Sequence, residues 1–134
     1  MIAGSVDTNV LVRLLTQDDA TQAQAVDKLI AKYTKKGDLL FVPITVVLEL
    51  EWVLRSRLEQ SKPQLIATFS ALLTMVEFSF ESEGAVEQAL ADFEDGNADF
   101  GEYLHLAISR KNQALPFWTF DRKASRTQGA KSLT

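Results

Sequence analysis

Short apolar runs of strand length alternate with stretches of helical period along the chain, and this alternation limits the fold more than any single residue does. Such a pattern is expected of an α/β domain with a mostly parallel sheet. Residues 2 to 6 open the series as a strand that delivers Asp7 at its carboxyl end. Val10, Leu11, Leu14 and Leu15 then have helical spacing, and a second helix runs from about Asp19 with Val26, Leu29, Ile30 and Tyr33 on one side. Gly37 stands where a C-terminal helix cap is required. Leu39 to Val42 is a short buried strand ended by Pro43, and Thr45 is placed to cap a helix in which Val46, Leu50, Val53 and Leu54 share a face.

The second half repeats the pattern. Ser61-Lys62-Pro63 supplies a capping residue and a first-turn proline for a helix carrying Leu65, Ile66, Phe69, Leu72 and Leu73. Residues 76 to 80 (Val-Glu-Phe-Ser-Phe) alternate with period two, as a half-buried strand does. A helix from Ser82 presents Val86, Ala89, Leu90 and Phe93 and ends near Gly96; another starts near Asp99 with Phe100, Leu104, Ala107 and Ile108 inward. Residues 116 to 120 form a strand ending at Asp121, and a short helix and an edge strand around 130 to 133 complete the chain. The expected architecture is a three-layer α/β/α arrangement around a central, mostly parallel sheet of four to five strands.

At 134 residues, with no linker-like or repetitive segment, the chain is read as a single domain, residues 1–134. The absence of cysteine excludes disulfides, thiolate chemistry and Cys-ligated metal sites. No signal peptide or membrane-length apolar run is visible, so the expectation is a cytoplasmic protein with no membrane partner. The net charge of -4 argues against nucleic-acid binding by bulk electrostatics, but its distribution is uneven. Glu77, Glu81, Glu83, Glu87, Asp92, Glu94, Asp95, Asp99 and Glu102 follow one another with no Lys or Arg between them. After Ser109 the sign reverses, with Arg110, Lys111, Arg122, Lys123, Arg126 and Lys131 against Asp121 alone. Solvated faces account for most of these charges, and the basic end offers a place for a polyanion.

Four acids stand out by placement. Asp7 and Asp121 each end a strand and precede a helix, Asp99 opens a helix, and Glu49 lies in the first turns of one. Functional crevices of open α/β sheets lie outside the carboxyl ends of the strands, where these positions can converge. Glu102, three residues after Asp99, shares its helix face. Two carboxylates about 5 Å apart at an effective dielectric near 20 repel by roughly 3 kcal/mol, a large fraction of the roughly 5–15 kcal/mol by which a domain is stable. A cation among them resolves the conflict. Oxygen ligands without His or Cys select Mg²⁺ or Mn²⁺, and such an ion beside carboxylates suits phosphodiester hydrolysis by an activated water.

Each position also has a plainer reading. Asp99 serves equally as a charge favoured at a helix start, and Asp121 as a turn residue. Glu49 lies among Val46, Val47, Leu48, Leu50, Trp52 and Val53, so its plainer reading is a buried salt bridge, with Glu51 as the solvated acid of the pair. His105 is read as packing or surface, and Trp52 and Trp118 as core residues.

Four fragments, in order, carry a resemblance: "VDTNVLVRLL", "ITVVLELEWVLR", "ADFGEYLHLAISRK" and "FWTFDRKASR". Together they are similar to PIN domains, specifically the VapC-type toxins of bacterial toxin-antitoxin pairs, over nearly the whole chain. The resemblance implies a Mg²⁺- or Mn²⁺-dependent endoribonuclease acting on structured RNA such as transfer or ribosomal RNA, a homodimer, and inhibition by a VapB-like antitoxin. It maps the family's acidic quartet onto Asp7, Glu49, Asp99 and Asp121, and a further helical acid onto Glu102, where many relatives have Asp. Thr8, Asn9 and Thr119 take the family's supporting polar positions. On this basis Asp7, Asp99, Asp121 and Glu102 belong to the metal site, with Glu49 and Glu102 positioning the attacking water. Arg110, Lys111, Arg122 and Lys123 are expected to track the RNA backbone. Other readings are a PIN-like binding module without catalysis and a Mg²⁺-binding phosphoacceptor receiver domain. A receiver needs an acidic pair after the first strand and an acceptor Asp ending a central one, whereas here there are Asp7 alone and Pro43. A haloacid-dehalogenase-type phosphatase needs a second Asp where Asn9 stands.

Overall fold

Strands too short to bury both faces unaided recur between helices, and their order is read directly from the computed structural model, which describes residues 1–134. β1 (Ile2–Ser5) leads into α1 (Thr8–Thr16) and α2 (Ala20–Lys35), and β2 (Leu39–Val42) into α3 (Ile44–Ser56) and α4 (Lys62–Thr74). β3 (Phe78–Phe80) precedes α5 (Glu83–Asp95) and α6 (Phe100–Lys111). β4 (Phe117–Thr119) passes through a 3-10 turn (Ala124–Arg126) into β5 (Ala130–Ser132). Every ladder is parallel, with helical crossovers joining β1, β2 and β3 and the 3-10 turn lying in the connection between β4 and β5. The α/β class with parallel strands is therefore as the sequence predicts, with five strands divided into a β1-β2-β3 sheet and a β4-β5 pair. The chain forms two compact units, Met1–Glu81 and Ser82–Thr134. No helix is long and apolar enough to cross a membrane.

In the first unit, local capping fixes most helix ends. Asp7 and Asp19 cap α1 and α2 by accepting from Val10 N at 3.1 Å and Gln22 N at 3.0 Å. Ser61 and Gln64 form the reciprocal capping box of α4. Gly37, at φ 73°, follows Lys36 and closes α2, its N–H donating to the Thr34 carbonyl while Asp38 N donates to that of Tyr33. Between α1 and α2, the Thr16 hydroxyl and then the nearby Arg13 guanidinium hold the Asp18 carboxyl below its ordinary range.

The start of α3 corrects one expectation. Pro43, not Thr45, is the N-cap, and the Glu81 side chain from beyond β3 accepts the Ile44 N–H at 2.8 Å. A carboxylate brought by the neighbouring strand therefore does the work of a local cap. The burial of α3 corrects two more. Glu51, not Glu49, is the buried acid at 3% exposure, paired with Arg55 Nε at 2.9 Å, while Glu49 is exposed. Leu50, Val53 and Leu54 do face inward. Trp52 is not core either: it is half exposed, with the Arg57 guanidinium 5.6 Å from its ring.

In the second unit Phe93 meets Phe100 edge-to-face at 5.9 Å and Tyr103 at 6.5 Å. The buried Tyr103 hydroxyl accepts the Ala98 N–H at 3.1 Å, tying down the segment that leads to Asp99. His105 is an exposed residue of α6, 6.2 Å from the Phe117 ring, in keeping with a packing or surface role. Trp118 corrects the remaining aromatic expectation. It points out from β4 and is exposed, because Phe117 takes the face towards α6 and alternate strand residues point oppositely.

Two stability outcomes follow. A Cβ at Gly96 would lie 1.9 Å from the Tyr103 hydroxyl oxygen and 2.9 Å from the Asp92 carbonyl oxygen. Gly96→Ala is therefore expected to lower stability by about 1–3 kcal/mol in urea unfolding, since the clash displaces Tyr103 from Ala98. Arg55→Ala, which strands the Glu51 carboxylate, is expected to cost about 1–3 kcal/mol, and Glu51→Leu in the same chain should recover most of the loss. Thermal or urea unfolding of the single and double variants measures both.

Candidate active site

The first unit brings together one set of predicted residues. β1 and β2 run parallel, so the segments following their carboxyl ends start α1 and α3 at the same end of the sheet. Asp7 is exposed at the N-cap of α1 and commits only Oδ1 to Val10 N. The next residue, Thr8, is buried, and its hydroxyl donates to Oε1 of Glu49 on α3. This bond commits one carboxylate oxygen of Glu49, a residue that is itself exposed. Asn9 is exposed in the first turn of α1.

The second unit brings together another. Asp99 occupies the N-cap of α6, yet its carboxylate makes no capping hydrogen bond. An exposed carboxylate at a helix start is stabilised by the helix dipole without surrendering either oxygen. Asp121 follows β4, where its Oδ1 accepts Ala124 N at 2.8 Å while its own N–H donates to the Thr119 hydroxyl at 2.9 Å. Thr119 thus sets the corner that presents Asp121. Asp99 and Asp121 line one cleft of about 260 Å³ with Asn97, Ala98, Arg122 and Lys123. Glu102 is half-buried in the first turn of α6 and is not among the residues lining this cleft.

The four predicted basic residues separate. Arg122 and Lys123 share the cleft with the two aspartates. Arg110 and Lys111 line a different cavity, of about 380 Å³, with Ser82, Gly84, Ala85, Gln88 and Ala107. There Lys111 Nζ donates to the Ser82 hydroxyl at 2.6 Å, and Arg110 donates to the Gln128 carbonyl at 2.8 Å. Glu81 is the acid whose structural role the sequence pattern hides, because its partner Ile44 lies 37 residues away.

No three His, Asp or Glu side chains are gathered into one ligating group; the acids come as the sets just described. The donor set nonetheless suits a hard divalent cation. Asp99 has both carboxylate oxygens uncommitted and Asp121 has one, and neither is neutralised by an ion pair, the salt bridges being Arg13–Asp18 and Arg55–Glu51. Two carboxylates with room for retained waters match the way Mg²⁺ and Mn²⁺ bind.

The family model for the PIN domain matches residues 5–130, a span that holds every acid named above. No curated protein sequence matches the chain as a relative. PIN domains are generally nucleases that use divalent metal ions. With parallel strands leading to helix-opening aspartates and a family match over almost its full length, the chain belongs to the PIN domain family.

Proposed function

We propose that the chain is an endoribonuclease of the VapC toxin type, dependent on Mg²⁺ or Mn²⁺, that hydrolyses phosphodiester bonds in structured RNA such as transfer or ribosomal RNA. The observation that carries this reading is the cleft in which Asp99 and Asp121 stand beside Arg122 and Lys123. Carboxylates alone would repel a phosphate; two cations on the same cleft offset that repulsion and give the RNA backbone a place to rest. The four sequence fragments that resemble those of VapC-type toxins support the finer assignment. They also support a homodimer held silent by a VapB-like antitoxin.

In this reading Asp99 and Asp121 hold the divalent ion. When bound, that ion lowers the pKa of water and offsets charge on the attacked phosphate. The side chains around it have separate tasks. Thr119 and Ala124 hold Asp121 in one orientation through its backbone and Oδ1. Arg122 and Lys123 pair with phosphate oxygens. Glu102, in the first turn of α6 but outside the cleft lining, is assigned the orienting of water by its motif position. Asp7 and Glu49 are assigned to the same activity by their motif positions, with Thr8 fixing Glu49 through its hydroxyl.

Purified protein is expected to cut total cellular RNA into discrete fragments with Mg²⁺ or Mn²⁺ and to stop in EDTA. Asp99→Asn and Asp121→Asn, each verified as folded, should lower cleavage by about a hundredfold or more, since an ion worth several kcal/mol to the reaction loses a ligand. Full metal-dependent cleavage by either variant would overturn the assignment. Thr8→Val removes the hydroxyl that fixes Glu49 and should reduce cleavage by about 10- to 100-fold, as loss of a carboxylate's supporting hydrogen bond does elsewhere. Single-turnover rates on one defined RNA fragment measure this effect.

A further inference from the structure

The ladder of β4 and β5 sets Trp118 level with Lys131. Leu133 N donates to the Thr119 carbonyl at 3.1 Å, which carries the same register on to Phe120 and Leu133. Phe117 faces His105 on α6, so Trp118, the next residue of β4, takes the opposite face, and Phe120 follows just past the end of the strand. Trp118 is 54% exposed and Phe120 70% exposed. Lys131 and Leu133 are exposed beside them. Two large exposed rings therefore stand two positions apart at the end of β4, and the residue that follows Phe120 is Asp121.

Exposed aromatic rings in a cluster mark a surface that meets a partner. The charge around them says which kind. Beyond Ser109 the chain carries six basic residues and one acid, and Arg122, Lys123, Arg126 and Lys131 all lie within the stretch that contains the two rings. Aromatic faces interleaved with cations fit a strand of nucleic acid whose bases are unpaired: the rings stack on the bases and the cations follow the phosphates. A duplex, with its bases already stacked, gains nothing from the rings.

We infer that the Trp118–Phe120 face, with Lys131, stacks unpaired bases of an RNA strand immediately beside the phosphate presented to Asp121. The inference rests on the nuclease reading for what happens at Asp121 and adds to it the residues that seat the strand next to the phosphate that is cut. Strand-borne aromatic residues thereby select loops and unpaired ends by shape, with little preference for base identity.

The test uses the full chain in EDTA, with binding of fluorescein-labelled hexauridine and hexaadenosine followed by anisotropy. Trp118→Ala and Phe120→Ala are each expected to weaken both oligonucleotides by about 5- to 150-fold, the range for losing one stacked base. Trp118→Phe keeps a ring and should stay within a few-fold of the parent. A short RNA duplex should bind parent and variants alike. Thermal unfolding verifies each variant, and if Trp118→Ala does not fold, Phe120→Ala and Trp118→Phe carry the comparison. Unchanged oligonucleotide binding in the alanine variants overturns the inference. So does a loss of binding that light scattering shows to accompany dissociation of a dimer, which would make the face an interface between copies. If the parent binds through Trp118 but cleaves no RNA with either metal, the nuclease reading falls and the stacking face stands. If the alanine variants both bind and cleave as the parent does, the stacking face falls and the nuclease reading stands.

Discussion

The site depends on holding carboxylates at the starts of helices and turns without tying them up in ion pairs. Backbone N–H groups and the helix dipole make such positions tolerant of negative charge. Asp7 and Asp121 each commit one oxygen to a backbone N–H, and Asp99 commits none. An acid held this way keeps a fixed place and still has an oxygen to offer. Had a lysine or arginine secured it, a metal ion would have to displace that partner first. The acids that do pair with cations, Asp18 and Glu51, are those the sequence gives no functional placement.

That arrangement explains which parts of the site were legible in the sequence. Asp7, Asp99 and Asp121 are recognisable because a short apolar run or a helical period changes at each of them, and the change is local. The capping box at Ser61 and the closing glycine at 37 are legible for the same reason. Glu49 and Glu51 were less so. Apolar residues surround both on α3, so the pattern does not single out one buried face, and it is the partner four residues on, Arg55, that identifies Glu51 as the structural acid. The cap of α3 was out of reach, since Glu81 arrives from the end of β3. At β4, consecutive aromatic residues state that the strand is apolar but not which side is covered.

The long acidic stretch divides in a similar way. Its members include a helix cap for α3 at Glu81, an acceptor for Gln88 at Asp92 and the uncommitted carboxylate of Asp99. Net charge therefore describes the chain poorly. The acidic excess is partly consumed by backbone and amide donors, whereas Arg122 and Lys123 remain at the cleft.

The two sets of acids also differ in how their orientation arises. Asp121 is set by Thr119 and Ala124, all within one corner of chain, so its geometry needs no long loop to close. The Thr8–Glu49 bond spans 41 positions and exists only once α1 and α3 have docked. In kinetic terms, the corner at Asp121 forms on the timescale of local contacts, and the Glu49 geometry waits for the non-local ones. A local opening of the first unit breaks the Thr8–Glu49 bond, whereas the contacts that orient Asp121 all lie outside that unit.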